Sequence, residues 1–181
     1  MDRFYLPAPA FVLAAVMCAA FVAYCGLYAI GPSASVAEEV AGRWLIELFG
    51  LPADSSIGYS TGATMASFTG LAAGRHRVLE RTGWNVEEDG LQGAPEIAVV
   101  VGAEAHVTIH VSLQMLGLGR NRVHKVEADE GGRMRPDRLR AVLAGLRGRP
   151  VLVCAQSGNV NTGAFDPLPE IVAAVRELPN A

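Results

Sequence analysis

The sequence predicts an α/β fold, a mainly parallel sheet flanked by helices, and three observations carry that prediction. The runs 97–101 (Ile-Ala-Val-Val-Val) and 151–155 (Val-Leu-Val-Cys-Ala) are short, continuous and apolar. That is the pattern of strands buried on both faces, not of strands with one wet side. A third strand-like segment, 122–126, lies between them, and segments of helical period separate and follow the three. Strand, helix, strand, helix, strand, helix in that order argues for parallel pairing with helices on both faces.

Before this regular part comes an apolar segment, residues 1–30. No charged side chain occurs from Phe4 to Ala37, and Phe11 to Ile30 is almost wholly apolar. A bilayer span needs about 20 such residues. Arg3 is the only basic residue ahead of the run, thin for the start of a signal peptide. Four readings stand side by side: a membrane anchor, a signal sequence, a buried helix at a subunit interface, or a misplaced start of the reading frame.

From residue 31 the elements follow in order. Gly31-Pro32 is a turn. Ser35 and Glu38 have capping-box spacing, and Val40, Trp44 and Leu48 recur at helical intervals, so a helix is expected over 36–49, ended by Gly50-Leu51-Pro52. Residues 57–63 form a small-residue loop. A helix over 64–80 should turn Phe68, Leu71, Ala72, Val78 and Leu79 inward. Residues 82–95, polar with several glycines, read as a surface connection. Helices are expected over 106–117 and 136–146, the latter with Pro136 near its first turn. After the strand 151–155, a loop at 156–165 leads to a last helix that Asp166 can cap, with Pro167 at its first position.

Composition narrows the function classes. The 181 residues are 51% hydrophobic and 18% charged, enough to build a core. A net charge of -3 gives no basic stripe for nucleic acid. Cys18, Cys25 and Cys154 are odd in number, widely spaced and set in apolar runs, which fits reduced thiols in a cytoplasmic protein and not a disulfide framework. No cysteine pair has zinc-ligand spacing, and His106 with His110 lacks a suitable third ligand, so no metal is expected.

In parallel α/β folds ligands sit at the carboxyl ends of the strands. Three loops qualify. Ser60-Thr-Gly-Ala-Thr64 runs into a helix start, where free backbone amides and the positive end of the helix dipole suit a phosphate. It lacks the lysine of a P-loop and the three-glycine dinucleotide spacing, and an ordinary tight strand-to-helix loop looks the same. Glu104-Ala-His106 follows the strand 97–101. A histidine there can stack on a flat ligand, move a proton, or simply cap the helix. Ser157–Gly163 after the third strand offers amides and hydroxyls at the same edge, or a plain polar turn. His76 and His124 read as structural.

Taken together these segments resemble the group II pyridoxal-phosphate-dependent decarboxylases, which include the glutamate, aromatic amino-acid, aspartate and diaminobutyrate decarboxylases. The resemblance rests on Val36-Ala-Glu-Glu-Val-Ala-Gly-Arg-Trp-Leu45, Gly58-Tyr-Ser-Thr-Gly-Ala-Thr-Met-Ala66, Ala105-His106, Asp129-Glu-Gly-Gly-Arg-Met134 and Gly158-Asn-Val-Asn-Thr-Gly-Ala-Phe-Asp-Pro167. It runs over roughly residues 26–180 in unbroken order. It implies that residues 31–181 are an incomplete cofactor-binding large domain of the fold type I transferase fold. It implies pyridoxal 5'-phosphate as cofactor, with Ala63 and Thr64 at its phosphate, His106 stacked on its ring and helping to move a proton, and Asn159 near it. Ser67 stands where the family often has asparagine, Ala63 where it often has a second glycine, and Asn159 where it often has threonine.

The resemblance also implies an amino-acid substrate and, in the complete enzyme, a homodimer with the active site at the interface. The family's cofactor-bearing lysine and the carboxylate facing the pyridine nitrogen lie downstream of the matched motifs. The only lysine here, Lys125, falls in a strand pattern that matches neither. The chain is therefore expected to be a fragment that is inactive alone. Two other readings stay open: a membrane-anchored lyase of the phosphosphingolipid lyase type, and a non-catalytic remnant.

Overall fold

The computed structural model describes residues 31–178. The apolar run ending at Ile30 lies outside the described residues, as do Cys18 and Cys25. Among the described residues no helix is long and apolar enough to cross a membrane. The chain divides into two units, residues 1–59 and 60–181.

In the first unit α1 spans Pro32–Leu48. It starts earlier than the capping box suggested. Gly31 is its N-cap, Pro32 stands in its first turn, and no side chain caps it. Ser35 is already inside the helix, its N–H donating to the Gly31 carbonyl at 3.1 Å. Proline needs no partner for a missing N–H and arrives with helical φ, so the helix begins there and the box does not form. The Tyr59 hydroxyl donates to the Glu38 carbonyl at 3.0 Å.

The second unit holds α2 (Ala63–Glu80), α3 (Val86–Asp89), β1 (Ala98–Gly102), α4 (Val107–Met115), β2 (Val123–Val126), α5 (Pro136–Ala144), β3 (Val151–Cys154) and α6 (Leu168–Arg176). The strands form a parallel sheet in the order β2-β1-β3. Val99 pairs with Val123 on one side and Leu152 on the other. The central strand is the one with the longest apolar run, and both its faces are covered. Ala98 and Val100 pack with Val126, Leu139, Leu143 and Ile171. Val99 and Val101, alternate residues of the same strand, pack with Leu71, Leu113 and Leu116 on the opposite face. Burying each valine fully contributes roughly 1.5–3 kcal/mol.

The inward set expected for 64–80 holds. Leu71, Val78 and Leu79 are buried, and Phe68 and Ala72 pack against the second cluster. Gly74 lets α2 close on the sheet, because a Cβ there would lie 2.7 Å from Leu152 Cδ1. The connection expected over 82–95 contains α3, one turn capped by Asn85, whose side chain accepts from the Glu87 N–H. The capping expected of Asp166 does not occur. α6 begins at Leu168 with no side-chain cap, and Asp166 is buried with its carboxylate committed elsewhere.

Candidate functional site

At the carboxyl edge of the sheet the loops after all three strands converge with the start of α2 around a cleft of about 390 Å3. That size falls within the usual range of small-molecule sites, roughly 300–1,000 Å3. Its lining is mostly small: Gly102, Ala103, Ala105, Ala128, Gly132, Ala155 and Gly158 contribute almost no side chain, and Ala63, Ser67, His106, Gln156 and Asp166 stand around them. No lysine or arginine lines it.

α2 opens at Gly62-Ala63 without a side-chain cap. The N–H groups of a first helical turn have no partner inside the helix and carry the positive end of its dipole. With no cationic side chain in the lining, these amides can serve as anion donors at the cleft.

β1 ends in Gly102, a tight turn follows in which the Ala105 N–H donates to the Gly102 carbonyl, and His106 becomes the N-cap of α4. The imidazole Nδ1 accepts from the Thr108 N–H at 3.3 Å and lies 2.8 Å from Thr108 Oγ1. Both contacts fall on Nδ1, which leaves Nε2 outside the cap. The cap fixes which nitrogen is occupied by the fold and which is left for other work.

The loops after β2 and β3 are internally tied. Asp129 accepts from the Gly131 and Arg133 N–H groups and from Arg133 Nε. The backbone hydrogen bond from Arg133 is the main reason its carboxyl lies below the usual carboxylate range. Asn159 spends its Oδ1 on its own turn, accepting from the Asn161 and Thr162 N–H groups at 2.8 and 3.2 Å. Gly158 at φ +90° makes the preceding bend, a conformation that side-chain-bearing residues rarely adopt.

Asp166 is the only buried carboxylate among the described residues. One oxygen accepts from the Met134 N–H and the other from the Gln156 N–H, each at 2.7 Å. Cys154 also lines the cleft, and burial pushes its thiol up to about 12. Of the four residues singled out from sequence, Ala63 and His106 line the cleft, while Thr64 and Asn159 do not. Thr64 follows Ala63 in the first turn of α2, and Asn159 sits between the lining residues Gly158 and Val160. Gln156 and Asp166 were not singled out as site residues. Their partners lie in separate loops, and only a three-dimensional arrangement reveals them.

A parallel α/β unit with its cleft at the strand carboxyl ends is a ligand-binding arrangement, and comparison with known proteins identifies its kind. Residues 5–179 match the family described as the pyridoxal-dependent decarboxylase conserved domain, and the chain belongs to that family. It is 31% identical over 147 residues to acidic amino acid decarboxylase GADL1 of Mus musculus, covering 80% of this chain and 26% of that protein. It is 33% identical over 143 residues to the L-2,4-diaminobutyrate decarboxylase of Rhizobium meliloti, covering 77% and 27%. The crystal structure of mouse CSAD superposes with a TM-score of 0.74 at 30% identity, over 83% of this chain and 31% of that one. The fold is thus part of the fold type I large domain. The chain spans about a quarter of the length of the curated relatives it matches.

Proposed function

We propose that this chain supplies half of the pyridoxal 5'-phosphate site of an amino-acid decarboxylase and does not decarboxylate by itself. The observation that carries the reading is the meeting, at one cleft, of a helix start able to take a phosphate and a histidine with its Nε2 free of the fold.

The residues fit the cofactor's parts. The Ala63 and Thr64 amides, at the start of α2, would hold the phosphate. The His106 ring would lie on the pyridine face, with Nε2 as the atom that gives or takes a proton. Asn159 shapes the loop beside it. The glycine and alanine floor leaves room for a flat ring. When bound, the cofactor draws electrons from the substrate's α-carbon as the carboxylate departs as carbon dioxide.

The rest of the chemistry calls for groups these residues do not provide. Lys125, the only lysine, is exposed on β2 and does not line the cleft. Asp166 is committed to the Met134 and Gln156 amides, and the carboxylate that the family sets against the pyridine nitrogen lies downstream of the matched motifs. A second copy of these residues would bring no further lysine to the cleft; the homodimer of the complete enzyme is supported by membership of the family alone. The family's substrates are amino acids; acidic amino acids, 2,4-diaminobutyrate and cysteine sulfinate, the last from the name of a cysteine sulfinic acid decarboxylase of Mus musculus that is 42% identical over 88 residues, are the first to test. The cysteines in apolar runs support a cytoplasmic setting.

The test is a titration of pyridoxal 5'-phosphate into the purified 181-residue chain, followed by calorimetry, with carbon dioxide release measured in parallel. Saturable binding of one equivalent without carbon dioxide release is expected. Release from any of the three substrate types, or no binding, contradicts the proposal.

A further inference from the structure

We infer that Asp166 and Gln156 are positioning residues that set His106 against the cofactor, an inference that rests on the reading of the cleft as the pyridoxal phosphate site. The loops after three different strands are laced together by two side chains. Asp166 Oδ1 accepts from the Met134 N–H, in the loop after β2, and Oδ2 from the Gln156 N–H, just after β3, both at 2.7 Å. The Asp166 N–H donates back to the Gln156 carbonyl at 3.0 Å, so Gln156 is held from both sides. The Gln156 side chain then reaches across to the loop after β1, where Oε1 accepts the His106 N–H at 3.1 Å.

Each link has a physical reason to be stiff. Asp166 is 8% exposed, and a buried carboxylate without donors is costly, so its two amide bonds hold firmly. Charge-assisted bonds to backbone N–H groups are stronger than neutral ones. The His106 N–H belongs to the N-cap of α4 and has no partner inside that helix, so Gln156 is what satisfies it. A shift of Asp166 moves Gln156, and a shift of Gln156 releases the cap residue whose ring faces the cleft. Neither residue has to touch the cofactor for this to work.

Gln156→Leu removes the acceptor while keeping size, and Gln156→Glu keeps an oxygen in place. In the full chain, amide exchange of His106 is expected to quicken roughly fivefold in Gln156→Leu, the effect of losing one ordinary hydrogen bond. It should return to the wild-type rate in Gln156→Glu. Nuclear magnetic resonance of the His106 ring during a pyridoxal 5'-phosphate titration should show a shift in the wild type and a reduced one in Gln156→Leu. The urea midpoint should fall slightly in Gln156→Leu, by no more than the loss of that one hydrogen bond explains, and match the wild type in Gln156→Glu. Should Gln156→Leu unfold, Gln156→Ala replaces it with the same readings expected. Wild-type exchange at His106 in the leucine or alanine variant overturns the tether. A wild type whose His106 ring does not respond to the cofactor overturns the reading of the cleft, and the exchange result then still reports separately on the tether.

Discussion

Ala63→Asp should raise stability and lower cofactor affinity at once, and the opposite signs make it the sharper probe of the phosphate reading. Ala63 is exposed in the first turn of α2, and that turn holds no acidic residue. A carboxylate there complements the helix dipole and contributes about 0.3–1 kcal/mol to stability. The same carboxylate would stand beside a bound phosphate. At about 6 Å and an effective dielectric near 20, each pair of unit charges repels by roughly 3 kcal/mol. A phosphate monoester carries about -1.5 to -2 charges, which nearly doubles the repulsion. Solvent and salt at an exposed position cut it back to roughly 1.5–3 kcal/mol, or about tenfold to a hundredfold in affinity. Urea unfolding measures the first effect, and calorimetric titration with pyridoxal 5'-phosphate at low and high salt measures the second. A variant that binds the cofactor as tightly as the wild type places the phosphate elsewhere. A variant that is destabilised shows that the start of α2 is not the free helix terminus described.

Further outcomes follow from packing and burial. Leu139→Ala, at a position with 0% exposure in the core between sheet and helices, should cost about 2–5 kcal/mol in denaturant unfolding; a loss under ~1 kcal/mol contradicts that packing. Gly70 and Gly74 lie in the same helix, but nothing stands within 4 Å of a Cβ at Gly70 while Leu152 blocks one at Gly74. Gly70→Ala should therefore gain about 0.5–1 kcal/mol from helix propensity, and Gly74→Val should lose roughly 1–3 kcal/mol by overpacking. Burial raises the Cys154 thiol from its ordinary 9.0 to about 12. Its thiolate is scarce at pH 8, so peptide mapping after iodoacetamide should find Cys154 unmodified in the folded chain and modified in urea. Because the folded state keeps this proton and the unfolded state gives it up, stability should fall as pH rises above about 9.

Much of the sheet was legible in the sequence because its central strand is buried on both faces. Val99, Val100 and Val101 have no polar side to confuse the period, the helix over 64–80 announced itself through Leu71, Val78 and Leu79, and Pro136 and Pro167 marked the starts of the later helices. Boundaries were harder. Ser35 and Glu38 have the spacing of a capping box, yet Pro32 starts α1 ahead of them, since a proline in the first turn outweighs a cap still to be formed. α3 was missed although Asn85 before three acids is a readable cap, because one helical turn carries no period.

The site divides the same way. The helix start at Ala63 and the histidine after β1 are local features, and motif order placed both. Asp166 looked like a helix cap because Pro167 follows it, and nothing near it in sequence says that its partners are the amides of residues 134 and 156. Asn159 offers an amide at the right edge, but its oxygen is occupied by its own turn. Long-range hydrogen bonds of this kind have no sequence period to betray them.

The central claim is that the carboxyl-edge cleft holds the cofactor by its phosphate at the start of α2 and by its ring at His106. An isotope-labelled chain titrated with pyridoxal 5'-phosphate, and separately with pyridoxal lacking the phosphate, tests both halves together. The amides of Ala63, Thr64 and Met65 and the His106 ring should move with the phosphorylated compound, and the α2 amides should stay still with pyridoxal. Shifts centred away from this edge, or an equal response of the α2 amides to both compounds, would contradict the account.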